Sequence, residues 1–344
     1  MIVQAHASYF SPFLSWQCWK HLRLSCAIFY HHATNKVHQS SSRYRDDSMA
    51  KLNIPCSNVN SEKDIINALI WNQWILRILG IWPLVYSNTT TIEKILATIS
   101  FALCWSALSF LLIPMVIFTV SERTTINDKI KMLGPLSYVL ISTLKFFFLI
   151  IHCKSIRQCI NVLSTDWRAV HQQDYRKIMI KNAAKSHVLS KFCIMFMYCG
   201  GLCFHTVMPF LTHTTIDEQN VTVKPIPYPG FDIIFDMHFT PAYVFVFCAQ
   251  WFSGIVLFNV TSAVCCLAAM FVAHACGQIE IVMDRVESFI KGTQSSRMKQ
   301  RMAIIVRHHI QSLRWVLYAD HCERKCCVNY NRLFKLKIVW IAWK

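Results

Sequence analysis

The segment FVAHACGQ (271–278) brings an imidazole, a thiol and an amide close together in the chain. Imidazole and thiolate groups are common ligands of zinc, and thiolates also serve in redox sites. His274 and Cys276 are two positions apart, however, so they do not share one face of a helix. The segment also ends a run that has no Asp, Glu, Lys or Arg between Asp236 and Glu280. We therefore interpret it as the place where a helix leaves a membrane, and we predict a structural role rather than a metal or redox site.

The other groups that could do chemistry form no recognisable site. Most of the sixteen cysteines lie in or beside apolar runs, where a thiol usually acts as a small hydrophobic side chain. Cys322, Cys326 and Cys327 follow His321, but their spacing fits no standard zinc pattern. The fifteen histidines accompany no nucleophile motif, and the eight glycines form no phosphate-binding loop. We therefore predict no catalytic residue, no cofactor and no metal, and we do not expect an enzyme.

Long apolar runs determine the predicted fold. The chain of 344 residues is 54% hydrophobic and 15% charged, whereas a soluble domain carries about 25% charged residues. A helix needs roughly 20 apolar residues to cross a bilayer core, and lipid forces the backbone groups to bond within the helix. We predict an all-α fold, a multi-pass transmembrane helical bundle. The predicted spans are residues 92–120, 133–151, 192–211 and 242–276.

The distribution of Lys and Arg predicts the orientation of the spans. The formal net charge is +17, and Lys and Arg number eight in 1–91, eight in 152–191 and thirteen in 277–344, but three in 122–131 and one in 212–240. Segments with an excess of Lys and Arg stay on the cytoplasmic side of a membrane. The pattern therefore predicts a cytoplasmic N-terminus, with the loops 122–131 and 212–240 outside. Because no nucleic-acid-binding motif accompanies the scattered basic residues, we expect no nucleic-acid partner.

The chain divides into four segments. Residues 1–63 lack clear periodicity and are expected to form a poorly structured N-terminal extension. Residues 64–276 are the predicted transmembrane helical region. Residues 277–320 combine helical apolar spacing with a basic surface, which predicts a cytoplasmic helical segment. Residues 321–344 contain no apolar run of span length and are interpreted as an atypical C-terminal tail.

Three features of the helical region lead to further expectations. A helix that begins near Asp64 is predicted to stop at Pro83. Lys145 lies inside the second span, about 9 Å of helix from its inner end, so its amine either reaches the inner surface or makes an internal polar contact. Gly200 and Gly201 in the third span permit a close helix contact, although a lipid-facing position suits them equally well.

Three N-glycosylation sequons offer a test of the orientation. Asn220 begins the sequon of the loop 212–240, which is predicted outside, so Asn220 is the predicted glycosylation site. Asn88 also begins a sequon but falls on the predicted cytoplasmic side, where it should stay unmodified. Asn259 lies inside the fourth span and is expected to be unreachable.

Five segments of the chain resemble the insect odorant receptor family, whose members are seven-helix membrane proteins with a cytoplasmic N-terminus. The resemblance covers about residues 67–318. Its segments are WNQWILRILGIWP (71–83), KMLGPLSYVLISTLKF (131–146), STDWRAV (164–170), KPIPYPGF (224–231) and LAAMFVAHACGQIEIV (267–282). The charge distribution supports the same orientation independently, and it opposes a G-protein-coupled receptor, whose N-terminus is outside.

The resemblance implies a function and an assembly. Members of the family are odorant-binding subunits that form a ligand-gated cation channel with a shared co-receptor in the plasma membrane and serve the sense of smell. It also implies that a small volatile odorant enters a pocket in the outer half of the bundle, that the seventh helix lines the pore, and that the fourth helix projects into a cytoplasmic anchor domain. A fourth span of about 35 residues, roughly 52 Å long as a helix, is consistent with such a projection.

The chain departs from the family in the number of its spans. Four spans are predicted where seven are expected, and CERKCCVNYNRLFKLKIVWIAWK (322–344) stands where the fifth helix should follow. We therefore expect an incomplete receptor chain. The alternatives are a non-functional receptor fragment and a small four-span membrane adaptor or transporter component.

The predicted ligand site draws on aromatic, flexible and a few polar side chains in the outer halves of the spans. The candidate ligand-binding residues are Phe110, Met115, Tyr138, Phe204, His205, Met208, Tyr243, Phe247 and Trp251. The alternative for each of them is core packing or a lipid-facing position. Tyr138 and His205 are the most informative candidates, because a buried hydroxyl or imidazole needs a polar partner.

Overall fold

Seven α-helices and one short hairpin make up the part of the chain that the computed structural model describes. The described residues are 61–86, 89–121, 126–170, 172–211, 215–216, 222–223, 226–228, 230–232, 234–235, 239–291, 302 and 306. The helices are α1 (Ser61–Ile78), α2 (Trp82–Val85), α3 (Thr91–Val120), α4 (Ile126–Ile151), α5 (Cys153–Ala169), α6 (Gln173–Leu211) and α7 (Thr240–Lys291). Strands β1 (Thr215–Ile216) and β2 (Thr222–Val223) pair antiparallel, with Thr215 opposite Val223.

Four of these helices, α3, α4, α6 and α7, are long and apolar enough to cross a membrane. The prediction of an all-α, multi-pass helical bundle is therefore confirmed. The sequence analysis did not predict the two-residue strands or the four-residue helix α2. Both prolines inside the spans, Pro114 in α3 and Pro135 in α4, lie within helices that continue past them.

The helices extend beyond the apolar spans. Helix α6 begins at Gln173 rather than near residue 192, so the basic segment 152–191 consists of α5 and the first half of α6. Helix α7 continues to Lys291, which makes it 52 residues, or about 78 Å, long. The physical reason is that Lys, Gln, Ala and Glu favour helix as strongly as apolar residues do. Apolar runs therefore indicate which part of a helix lies in the membrane, and they do not indicate where the helix ends.

The first helix ends earlier than Pro83. Helix α1 stops at Ile78 because Gly80 adopts φ 71°, a left-handed conformation that glycine reaches without steric cost. The amide of Ile81 donates to the Leu76 carbonyl at 2.9 Å and that of Gly80 donates to the Arg77 carbonyl at 3.0 Å, which is the Schellman arrangement of a helix C-terminus. Pro83 instead lies in the first turn of α2, where proline is tolerated.

Helix α3 begins with a capping box. The Thr90 hydroxyl accepts from the Glu93 amide at 3.3 Å, and the Glu93 carboxylate accepts from the Thr90 amide at 3.1 Å. Two of the backbone donors that a helix start leaves without partners are satisfied in this way. Arg77 at the end of α1 also donates to Glu93, at 2.7 Å. The start of α3 is therefore held beside the end of α1.

Helix α7 is the centre of the bundle. Its most extensive contact is with α6, and it also contacts α1, α3 and α4. The exposed large apolar side chains of α3 and α6 lie on the faces turned away from the core, and they include Ile95, Ile99, Leu103, Val188, Met195 and Leu202. Surfaces of this composition are expected where a helix faces lipid.

Helices α1, α2 and α5 gather at one end of the bundle, which we call the base. Two ion pairs hold α1 there. Asp64 accepts two hydrogen bonds from Arg176 of α6, at 2.6 and 2.9 Å, and Glu62 accepts from Arg168 of α5 at 2.8 Å. The opposite end consists of the last turns of α6, residues 226–235 and the first turns of α7, and we call it the loop end.

Candidate functional site

A cluster of aromatic rings surrounds His205 of α6 at the loop end. Its ring centroid lies 5.4 to 5.7 Å from those of four aromatic side chains, which are Tyr228 (5.4 Å), Phe204 (5.5 Å), Phe258 (5.5 Å) and Trp251 (5.7 Å). Three of the predicted ligand-site residues, Phe204, His205 and Trp251, therefore belong to one cluster. Tyr228 comes from the loop and Phe258 from α7, and neither was predicted. We call these five residues the His205 cluster.

Two glycines allow the rings to enter the contact between α6 and α7. A Cβ atom at Gly254 of α7 would lie 2.4 Å from Nε2 of His205, and one at Gly201 of α6 would lie 2.0 Å from the ring of Phe258. Each helix thus accepts a ring from the other where it lacks a side chain. The alternatives for Gly200 and Gly201 are both realised, because Gly201 makes the close contact while Gly200 is exposed and has nothing within 4 Å of such a Cβ position.

The His205 imidazole is almost fully buried, with 1% of its surface exposed. Its Nδ1 lies 2.9 Å from the Gly201 carbonyl oxygen, which can only accept, so Nδ1 carries a proton and donates. The neutral ring then presents Nε2 as an acceptor. Among the described residues Nε2 has no hydrogen-bond partner. A buried acceptor that has no hydrogen-bond donor costs stability.

The loop inserts two aromatic residues into the bundle. Tyr228 is 2% exposed, and its amide and carbonyl both bond to the side chain of Gln250 in α7, at 3.2 and 2.8 Å. Phe231 is fully buried against Phe110 of α3, with ring centroids 5.0 Å apart. Between them Gly230 adopts φ 98° and lies so close to Phe118 that a Cβ would be 2.8 Å from it. The loop thereby covers the His205 cluster.

A second group of polar atoms lies between α4 and α7. The Tyr138 hydroxyl is beside the hydroxyls of Ser142 in α4 and Thr261 in α7. None of these three oxygens has a hydrogen-bond partner of normal geometry within the described residues. We call Tyr138, Ser142 and Thr261 the hydroxyl group. Such atoms are uncommon in folded proteins and call for an explanation.

The segment FVAHACGQ takes part in a different contact, at the base. Nε2 of His274 lies 3.0 Å from a carboxylate oxygen of Asp166, and the two side chains are 4% and 3% exposed. Asp166 belongs to the segment STDWRAV in α5, so the pair joins two distant parts of the chain. No group of three or more His, Cys, Asp and Glu side chains that could hold a metal ion occurs among the described residues.

Comparisons with known proteins identify the family. Residues 125–336, more than half of the chain, match the family described as 7tm odorant receptor. The chain belongs to the seven-transmembrane odorant receptor family. A comparison with curated proteins found no match.

The matched part of the receptor differs in extent from the resemblance described above. It includes α4 to α7, and therefore the hydroxyl group, the His205 cluster and the pair of Asp166 with His274. It begins after α3, so the segment WNQWILRILGIWP lies outside it. It also extends to residue 336, into residues 321–344, which the sequence analysis treated as an atypical tail.

The remaining candidate residues of the receptor belong to neither of these two groups. Met115 is fully buried in the core, and Phe110 contacts the loop through Phe231. Tyr243 and Phe247 stack on each other near the start of α7, with centroids 6.0 Å apart, and neither ring is one of the four around His205. The side chain of Met208 and the sequon asparagines Asn88 and Asn220 lie outside the described residues.

The candidate site also contains residues that the sequence analysis did not predict. Gln250, Ser142 and Thr261 are polar residues inside apolar runs, and that exception was the available signal. Tyr228 gave no local signal, because a loop residue does not reveal from its neighbours that it enters a helical bundle. The Lys145 side chain is half-buried in α4, and both alternatives for its amine stay predictions.

Proposed function

We propose that this odorant receptor is the odorant-binding subunit of a ligand-gated cation channel, which it forms in the plasma membrane with a shared co-receptor. The observation that carries the proposal is the His205 cluster, in which four rings enclose an imidazole whose Nε2 has no partner in the described part of the chain. An apolar site with a few polar atoms is typical of small-molecule binding. The family supports a receptor rather than an enzyme.

The proposed ligand contacts are in the His205 cluster, the hydroxyl group and the remaining candidates. They are Phe110, Met115, Tyr138, Phe204, His205, Met208, Tyr243, Phe247 and Trp251. A neutral, mostly apolar odorant with one hydrogen-bonding group suits this set, because a charged ligand would lose its hydration without an opposite charge among the rings.

The proposal is tested by expression with and without the co-receptor. Cells that contain both subunits should show currents evoked by members of a panel of neutral volatile compounds, while cells with the co-receptor alone should not respond to the same compounds. Labelling at the cell surface controls for delivery of the receptor. A receptor that reaches the surface with its co-receptor and responds to none of a broad panel would contradict the proposal.

The proposed orientation places the N-terminus and the base in the cytoplasm and the loop end outside. It is supported by the charge distribution of the loops. The sequons supply the test, because glycosyl transfer occurs only on the outer side. Asn220→Gln should abolish a glycosidase-sensitive mass shift, whereas Asn88→Gln should leave that shift unchanged. The reverse pattern would invert the orientation.

A further inference from the structure

Gln250 is an amide side chain in the apolar first part of α7, and the structure shows which atoms it bonds to. It is fully buried, and it follows ten residues of α7 that carry no amide side chain. Its Nε2 donates to the Tyr228 carbonyl at 2.8 Å, and its Oε1 accepts from the Tyr228 amide at 3.2 Å. Helix and loop are thus joined by two parallel hydrogen bonds, as two paired strands would be.

This pairing satisfies backbone hydrogen-bonding groups that the loop would otherwise bury without partners. A loop backbone inside an apolar bundle has donors and acceptors that no helix or sheet satisfies, and each such group is costly to bury. The Gln250 amide satisfies both groups of one residue. It also fixes the distance of that residue from α7, because both bonds are short and originate from one planar group.

The position of the Tyr228 ring follows from this fixed backbone. Its centroid lies 5.4 Å from that of His205 and 5.6 Å from that of Phe204. The ring therefore closes the His205 cluster on the side of the loop. Because the backbone of Tyr228 is tied to α7, residue 228 cannot shift away from the helix unless both bonds to Gln250 break.

We infer that Gln250 is a positioning residue, which holds Tyr228 as the wall of the ligand site nearest the loop and thereby limits the size of the ligand. The part of this inference that concerns the ligand rests on the proposed odorant-binding function. The part that concerns the loop does not, and it can be tested without any odorant.

The first test measures how readily position 228 is reached from outside the cell. In a Tyr228→Cys receptor, a membrane-impermeant thiol reagent should react slowly with Cys at this position, and the parent receptor corrects for the other cysteines. Adding Gln250→Leu removes both bonds, so the reaction should accelerate about tenfold or more. The matched control is Asn259→Leu, which removes a buried amide of the same helix that donates to Ile255 of that helix. An equal reaction rate with and without Gln250 would overturn the inference.

A conservative variant separates positioning from simple loss of packing. In Gln250→Glu the protonated carboxyl keeps one donor and one acceptor, whereas the ionised carboxylate can only accept. At equal pH, reactivity at position 228 should therefore match that of the receptor with Gln250 in acidic buffer and exceed it in alkaline buffer. The comparison is made at equal pH because every thiol reacts faster in alkaline buffer as its thiolate forms, and because His205 faces Tyr228 as a second group that can titrate. A ratio of the two rates that is the same at both pH values would contradict the inference.

The second test concerns ligand size. In cells that also contain the co-receptor, a homologous series of neutral alcohols, ketones or esters should give a preferred chain length. Tyr228→Ala and Gln250→Leu should both shift that preference to longer or bulkier members, with roughly fourfold gain in potency for each added methylene that is buried.

The two tests fail in distinguishable ways. If the parent receptor answers to no compound but Gln250→Leu still exposes position 228, the proposed function fails and the positioning role stands. If the parent receptor responds and both variants retain its size preference and its slow reaction rate, the positioning role fails and the proposed function stands.

Discussion

Two buried histidines of this receptor lie at opposite ends of the bundle, and their hydrogen-bond partners and neighbours differ. His205, at the loop end, donates through Nδ1 to the carbonyl of Gly201 in its own helix and leaves Nε2 among aromatic rings. His274, at the base, places Nε2 3.0 Å from the carboxylate of Asp166, on another helix. One imidazole is surrounded by aromatic rings, while the other lies beside a carboxyl side chain.

The two ends differ in how their buried side chains are held. At the base, ion pairs such as that of Asp166 with His274 join helices, but Oδ1 of the buried Asn72 in α1 has no hydrogen-bond partner in the described part of the chain. At the loop end, aromatic rings surround His205, and its Nε2 also has no hydrogen-bond partner among the described residues. A fold keeps such atoms at a cost in stability, and functional sites are where that cost is usually found.

Removal of the carboxylate at the base should have the largest effect. Asp166→Ala deprives His274 of its carboxylate partner in a buried position and leaves a cavity, so the receptor should lose about 3 kcal/mol of stability. Thermal unfolding of the detergent-solubilised receptor, followed by tryptophan fluorescence, measures the loss.

The matched control is another aspartate that is paired at the surface. Asp174 is 3.0 Å from Lys177, but their side chains are 74% and 70% exposed. Asp174→Ala should change stability by less than about 1 kcal/mol. If both aspartate variants had the same small effect, the base would not be a region held by buried pairs and the comparison of the two ends would break down.

The glycine pair should give a smaller effect, with opposite signs at neighbouring positions. Gly201→Ala forces the buried Phe258 ring to move, which overpacks the contact of α6 with α7 and should cost about 1–3 kcal/mol. Gly200→Ala meets no atom and gains helix propensity, so it should stabilise by about 0.5–1 kcal/mol. The same unfolding measurement applies to both. Equal shifts would show that the loop end has no tight ring packing around His205.

These residues also show what the sequence can predict. Apolar runs and charge alternation predict the spans because lipid acts on each helix by itself, and aromatic residues such as Phe204 and Trp251 are natural candidates for an apolar site. Helix ends were predicted less well, since the left-handed Gly80 ended α1 before Pro83 was reached. A glycine inside an apolar sequence gives no local sign of that conformation.

Contacts between distant residues could not be predicted. His274 was examined with its neighbour Cys276, but its partner Asp166 lies 108 positions away. Tyr228 and Gln250 belong to a loop and a helix whose relative position depends on the whole bundle. Local spacing reports which face of a helix a residue occupies, and only packing decides what that face meets.

The smallest effect is expected at Tyr138, and it separates ligand binding from packing by sign. Its hydroxyl has no partner of normal geometry among the described residues, so Tyr138→Phe should leave stability unchanged or slightly higher. If an odorant bonds to that hydroxyl, the same variant should lose about 1 kcal/mol of binding, which is roughly fivefold in the concentration for half-maximal response. Dose–response curves over an odorant panel measure the second effect, and Thr261→Val provides a neighbouring variant. If Tyr138→Phe made the receptor less stable and left the response panel unchanged, Tyr138 would be a core residue and not a ligand contact. The loop end would then resemble the base.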